Sequence, residues 1–162
     1  MHRLRFTLLA AVAAFSSAHI APAGAAEDTI KIGFYCPLTG GSADMGVSAR
    51  NGIRLAFEEI NGMAGGVNGK KLELVERDDQ ANPEFAKKVV EELVIKDKVV
   101  AALGICNTGV GLATIETFQN AKVPLIVPVS TGTPLTKKFA GAPENWIFRV
   151  SPRDEVQAPF IV

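Results

Sequence analysis

Short apolar runs take turns along this chain with longer stretches whose apolar residues recur every three or four positions, and that alternation restricts the fold more than any other feature. Ile30 to Tyr35 carries apolar side chains at alternate positions, and a turn cluster follows at Pro37 to Gly41. This pattern predicts a strand. Ala49, Ile53, Ala56, Phe57 and Ile60 then lie on one helical stripe. Asn61-Gly62 and Gly65-Gly66 are expected to end that helix, because glycine accepts the left-handed conformation that terminates helices. Lys71 to Glu76 alternates again and predicts a second strand. Asn82-Pro83 predicts a helix start, with Asn capping free N–H groups and Pro suiting the first helical position. Phe85, Val89, Val90, Leu93 and Val94 supply its buried stripe. Val99 to Ile105 is continuously apolar, as in a strand buried on both faces. Val110, Thr114, Phe118 and Ala121 mark a third helix, and Leu125 to Val129 and Trp146 to Val150 a fourth and a fifth strand. Repeated strand–helix units of this kind predict an α/β fold with a parallel sheet, helices on both faces and right-handed crossovers. The loop from Ser130 to Asn145, rich in Gly, Pro and Thr, is long enough to suggest a functional role.

The first 26 residues stand outside this pattern. Arg3 and Arg5 precede an apolar stretch from Phe6 to Phe15, and small residues follow as far as Ala26. That layout predicts a secretory signal peptide over 1–26, cleaved after Ala25 or Ala26. No Cys lies at the junction, which disfavours a lipid anchor, and no apolar run reaches the ~20 residues of a membrane helix. Removing 1–26 takes away two of the 17 basic residues and none of the 17 acidic ones, leaving a net charge of −2. Without a basic excess, nucleic acid is not an expected partner. Export implies an oxidising compartment in which a disulfide can persist.

In open α/β sheets, ligands bind outside the carboxyl ends of the strands. Three segments fall there: Pro37 to Gly46, Cys106 to Gly109, and Pro128 to Thr133. All are rich in hydroxyl, amide and glycine groups, and none contains His, Lys or Arg. Each alone reads as an ordinary turn or helix cap. Three on one edge of a sheet suit hydrogen bonding to a small ligand, assisted by the positive end of a helix.

Enzyme chemistry has little to work with. The first strand is not followed by GxGxxG, and no GxxxxGK[ST] occurs. Asp78 and Asp79 imitate a ribose-binding acid but read more simply as loop and turn acids. Both histidines, His2 and His19, lie in the leader, so a Ser-His-Asp or Cys-His site cannot be built from the remainder. Two cysteines 70 positions apart make no zinc pattern. No metal, cofactor or catalytic residue is expected. Cys36 and Cys106 are either buried thiols or a disulfide, and Met45 is either a flexible cleft wall or a filler beside a helix cap.

Five segments, in order, carry a resemblance: IKIGFYCPLTGGSADMG, NGIRLAFEEINGMAGGVNGKKLELVERDDQANP, GICNTGVG, PLIVPVSTGTPLT and WIFRVSPRDEVQ. From Ile30 onward the chain resembles the leucine/isoleucine/valine-binding family of periplasmic solute-binding proteins, which serve ABC importers. The resemblance implies two α/β lobes of the type I arrangement, joined by a hinge and closing on ligand. It also implies a parent chain more than twice this length. Residues 27–162 would then be the first part of the N-terminal lobe, its sheet completed by segments returning from the second half. On this sequence the family's ligand-holding turns fall at Asn107 and Thr108, then at Val129 through its backbone, Ser130 and Thr131. Met45 stands at the position whose aromatic side chain covers the ligand in the family. That position is not aromatic here, and some relatives bind aromatic carboxylates, amides or urea. The implied ligand is therefore a small amino acid or a related carboxylate or amide, and the implied partner a membrane permease. In some relatives the cysteine matching Cys106 pairs with one in the DDxxxP loop, where this chain has Ala81, so that particular disulfide is expected to be absent. The alternatives are the ligand-sensing domain of a receptor and an exported α/β enzyme.

Overall fold

The computed structural model describes residues 29–63 and 65–161; the leader assigned to 1–26 lies outside them. Five parallel strands form one sheet in the order β2-β1-β3-β4-β5. They are β1 (Ile30–Cys36), β2 (Leu72–Asp78), β3 (Ala101–Gly104), β4 (Leu125–Val127) and β5 (Ile147–Arg149). Between them run α1 (Ala43–Met63), α2 (Pro83–Glu91) extended by a π-helical turn over Glu92–Lys96, α3 (Thr108–Ala121) and α4 (Pro134–Lys137). A short α5 (Asp154–Gln157) follows β5. The α/β parallel sheet expected from the alternating pattern is therefore present.

The side chains of β1 divide between the two faces. Phe34 and Cys36 join Ala49 and Ile53 of α1, with Leu74 and Leu103. Tyr35 joins the opposite and larger core, with Ala86, Val90 and Leu93, with Ile115 and Phe118 of α3, and with Leu125, Val127 and Ile147. Helices thus cover both faces. The step from β1 to β2 runs one way along the sheet and the later steps run the other way. With right-handed crossovers this reversal puts α1 on one face and α2 and α3 on the other. The order reverses between β1 and β3, where an open α/β sheet leaves a crevice at the strand ends.

A few residues explain the close packing at that reversal. Tyr35 stacks on Phe118 with ring centroids 5.7 Å apart, and its hydroxyl shares a 3.0 Å hydrogen bond with Thr114 Oγ1. Gly104 makes room for the ring: a Cβ there would stand 2.6 Å from it. Asn82 caps α2 as its sequence predicts, its carboxamide oxygen accepting from the amides of Glu84 and Phe85 at 3.0 Å.

Four details differ from the sequence-based expectation. Helix α1 continues through Asn61-Gly62 to Met63, because the Asn61 carboxamide turns to bond the backbone N–H and C=O of Leu72 instead of ending the helix. Phe85 is exposed, and the small Ala86 takes the buried place on α2. At the entry to β3, Val99 is buried but Val100 faces solvent, so burial on both faces holds only further along the strand. The long loop after β4 is not all irregular, since it contains α4.

Candidate functional site

The carboxyl ends of β1, β3 and β4 bring three loops together. Cys36 closes β1 and Cys106 follows β3, and the two form a disulfide with Cα atoms 5.5 Å apart. This settles the open alternative for the two cysteines and agrees with the absence of a partner at Ala81. Cross-linking the two strand ends ties the first loop to the residues that open α3. Val129, from the third loop, packs on the same Phe34–Cys36–Cys106 cluster.

Asn107 is the N-cap residue of α3, in extended conformation, yet its side chain caps nothing and its buried Oδ1 has no partner. Its backbone carbonyl accepts from the Gly111 amide at 3.1 Å. The amides of Thr108, Gly109 and Val110 donate to no acceptor among the described residues. A 14-residue helix therefore presents unpaired donors and its positive end to the crevice. Thr108 Oγ1 and Ser130 Oγ lie 2.8 Å apart and share a hydrogen bond, which joins the second loop to the third. Gly132 lies against Thr108: a Cβ at Gly132 would stand 2.7 Å from Thr108 Oγ1. The Thr131 hydroxyl bonds to no other described group.

Five of the six residues singled out by sequence, Asn107, Thr108, Val129, Ser130 and Thr131, thus gather at one edge of the sheet. Met45 sits in the first turn of α1 and is 41% exposed. Its neighbour Gly46 abuts Pro37, whose carbonyl oxygen a Cβ at Gly46 would strike. The structure forms no hydrogen bond between Met45 and the other five.

Three further residues shape the site. Buried Ile105 adopts φ +74°, a backbone region that disfavours a β-branched residue, and strain of this kind gathers at functional sites. Its N–H donates to Tyr35 O at 3.3 Å, and its carbonyl accepts from the Ser130 amide at 3.1 Å. Arg149 and Ser151, at the exit of β5, hold the third loop from behind. None of the three has a local signature, since each acts through partners distant in sequence. Asp78 fixes the first loop by accepting from Leu38 N–H at 2.8 Å, the Thr39 hydroxyl at 2.5 Å and Gln80 N–H at 2.9 Å. Burial pushes its carboxyl up, but these hydrogen bonds outweigh that and leave it below the usual range. Asp79 is a turn acid, as its sequence context predicts, with Oδ1 accepting from Ala81 N–H at 2.8 Å, but it is also fully buried. Burial first, and the neighbouring Asp78 charge, raise it to about 6, against a hydrogen bond from Ala81 N–H.

Among the described residues no cluster of three His, Cys, Asp or Glu side chains is placed to hold a metal ion. No helix among them is long and apolar enough to cross a membrane. A cavity of about 500 Å³ lies elsewhere, between α1 and β2, lined by residues that include Arg54, Phe57 and Glu76.

The sequence profile of the family described as periplasmic binding protein matches residues 29–161. The chain belongs to the periplasmic binding protein family. A leucine-, isoleucine-, valine-, threonine- and alanine-binding protein of Pseudomonas aeruginosa is 36% identical over 148 residues, which are 91% of this chain and 38% of that protein. An amino acid binding protein from the same organism is 34% identical over 128 residues, 79% of this chain and 33% of the other. Among solved structures, the branched-chain amino acid transporter substrate binding protein of Streptococcus pneumoniae in complex with isoleucine has a TM-score of 0.70 at 36% identity. That likeness covers 78% of this chain and 34% of that one. A solute binding protein of an ABC transporter from Rhodopseudomonas palustris, in complex with 3,4-dihydroxybenzoic acid, has a TM-score of 0.68 at 35% identity, covering 78% and 33%. The chain spans a third to two fifths of the length of these relatives.

Proposed function

We propose that the chain belongs to a periplasmic solute-binding protein of an ABC importer, which holds a small amino acid or a related carboxylate or amide without covalent chemistry. The observation that carries this reading is the Thr108–Ser130 hydroxyl pair beside the unpaired first turn of α3. Hydroxyl groups and free amide donors around a helix N-terminus suit a carboxylate. They offer no nucleophile with an adjacent base, since no histidine lies beyond His19. In this reading Asn107, Thr108, Ser130 and Thr131 provide polar contacts, Val129 its backbone, and Met45 an apolar cover from α1. Residues 1–26 act as the signal peptide that delivers the protein to the periplasm. Residues 27–162 form the first part of the N-terminal lobe, and a membrane permease receives the ligand. The names of the relatives support both amino acids and aromatic acids as ligand classes.

A thermal-shift screen of the whole protein against amino acids, aromatic carboxylates and amides tests this reading. A ligand present at 100 times its dissociation constant adds about 2.7 kcal/mol of stability. The expected result is a clear shift with one of these classes and recovery of the ligand unchanged. Recovery of a chemically altered compound would overturn the binding-only reading.

A further inference from the structure

We propose that Arg149 is the positioning residue of the candidate ligand loop, pulling the carbonyls of Thr131 and Gly132 backward so that the loop's amides and the Thr131 hydroxyl face the crevice. Arg149 Nη1 donates to Thr131 O at 3.1 Å and Nη2 to Gly132 O at 2.6 Å. The neighbouring segment adds to the same grip. Ser151 Oγ donates to Ser130 O at 2.7 Å, and the Asp154 amide donates to Thr131 O at 2.9 Å. Three successive carbonyls are thereby held by the exit of β5. In a trans peptide the C=O and the following N–H point in opposite directions. Fixing the oxygens of Ser130, Thr131 and Gly132 therefore aims the amides of Thr131, Gly132 and Thr133 away from β5. Those three amides donate to no acceptor among the described residues. The loop is left with free donors on one side and anchored acceptors on the other, which is the polarity a carboxylate needs.

Arginine fits this task because its planar fork reaches two carbonyls at once. The fork is half-buried and keeps Nε without a partner. Burial and the nearby Arg153 charge lower its pKa, while Asp154 raises it. The Cγ–Cδ stem also spans from the sheet edge to the loop, so a shorter or neutral side chain cannot replace both bonds.

This proposal rests on the solute-binding reading, and its test separates the two. Arg149→Met keeps the stem and removes the donors; Arg149→Lys keeps the charge but places its donors on a single nitrogen. Amide hydrogen exchange is followed on the whole protein without ligand, and calorimetric titration then uses isoleucine and benzoate as probes. In Arg149→Met, the amides of Ser130, Leu135 and Asp154 are expected to exchange about tenfold faster, while Ala102 in the central strand keeps its protection. Affinity for whichever probe the parent binds falls about tenfold, and Arg149→Lys recovers part of both effects. Unchanged exchange at Ser130, Leu135 and Asp154 would overturn the positioning role, and so would faster exchange with unchanged affinity. If the parent binds neither probe, the amino-acid and aromatic-acid reading fails, and exchange alone decides whether Arg149 holds the loop. If Arg149→Met does not fold, Ser151→Ala, which removes the 2.7 Å bond to Ser130 O and a longer 3.5 Å contact with Val127 O, must show the same pattern in weaker form or the proposal falls.

Discussion

Cys36 and Cys106 are bonded across the point where the strand order reverses, so one covalent link joins the floor of the crevice to the loop that opens α3. The two residues are 70 positions apart. Closing a loop of that length restricts the unfolded chain and is worth about 4 kcal/mol on the chain-entropy account. Cys36→Ala combined with Cys106→Ala is expected to lose stability of that order in urea denaturation. Adding reductant should bring the parent to the same midpoint and leave the double variant unmoved. A parent midpoint indifferent to reductant, with the thiols shown to be free, would contradict this.

A second expectation concerns pH. Asp79 is buried with Oδ2 unpartnered, and its folded-state value lies near 6, above the ordinary carboxylate value. The folded protein therefore keeps a proton through a window in which the unfolded chain has lost it. This contribution is fully present below the unfolded value of about 3.9 and is lost as pH rises to about 6, at most about 3 kcal/mol. Asp79→Asn keeps the shape and stays neutral. It should match the parent near pH 4 and exceed it at pH 7, with a flatter profile between. Parallel stability curves for the two proteins from pH 4 to 7 would refute the assignment. Asp78 has the opposite sign: its lowered value gives stability above the unfolded value that is lost as pH falls. Asp78→Asn should therefore cost more at pH 7 than at pH 3.

Much of the frame was legible in the sequence because periodicity is local. The five strands and three long helices follow from apolar spacing, and Asn82-Pro83 marks a helix start that the structure reproduces. The family-matched turns at Asn107–Thr108 and Val129–Thr131 also meet as expected. What could not be read depends on contacts between distant segments. Whether Cys36 meets Cys106 requires knowing that β1 and β3 are neighbours and that both cysteines lie at the same end. Arg149 and Ser151 look like ordinary exit residues of a strand until the loop from Ser130 to Gly132 is laid against them. Asn61 looks like a helix stop, and only the approach of Leu72 turns its side chain to another use. Asp79 reads as a turn acid and serves as one, but nothing in its own neighbourhood reveals how much of the chain packs over it.

Gly132 offers a local test of the crevice wall. A Cβ there would crowd Thr108 and stand 2.7 Å from its hydroxyl. Threonine is β-branched and cannot swing away freely. Gly132→Ala should break the Thr108–Ser130 hydrogen bond and destabilise by about 1–3 kcal/mol through overpacking. Gly141→Ala, where a Cβ meets nothing within 4 Å, is the control and should stay close to the parent in thermal denaturation. Equal melting temperatures for the two variants would mean that the third loop is free to shift.

The Thr131 hydroxyl allows the most direct test of ligand contact. It makes no bond within the described part of the protein, it sits on a loop whose carbonyls are held elsewhere, and it lies one residue beyond the Ser130 that bonds Thr108. Thr131→Val keeps the branched shape and removes only the oxygen. Losing one hydrogen bond to a charged group costs roughly 1.5–3 kcal/mol. At about 1.4 kcal/mol per decade, affinity should fall roughly ten- to 150-fold. Ser42→Ala, in the first loop, is the comparison and should lose less, since Ser42 is assigned no contact. Calorimetric titration on the whole protein, with the ligand found by the thermal-shift screen, reads both. If Thr131→Val folds normally and binds as tightly as the parent, the hydroxyl is not a ligand contact. The loop after β4 would then act through its backbone amides alone, and Asn107 with Thr108 would carry the side-chain recognition.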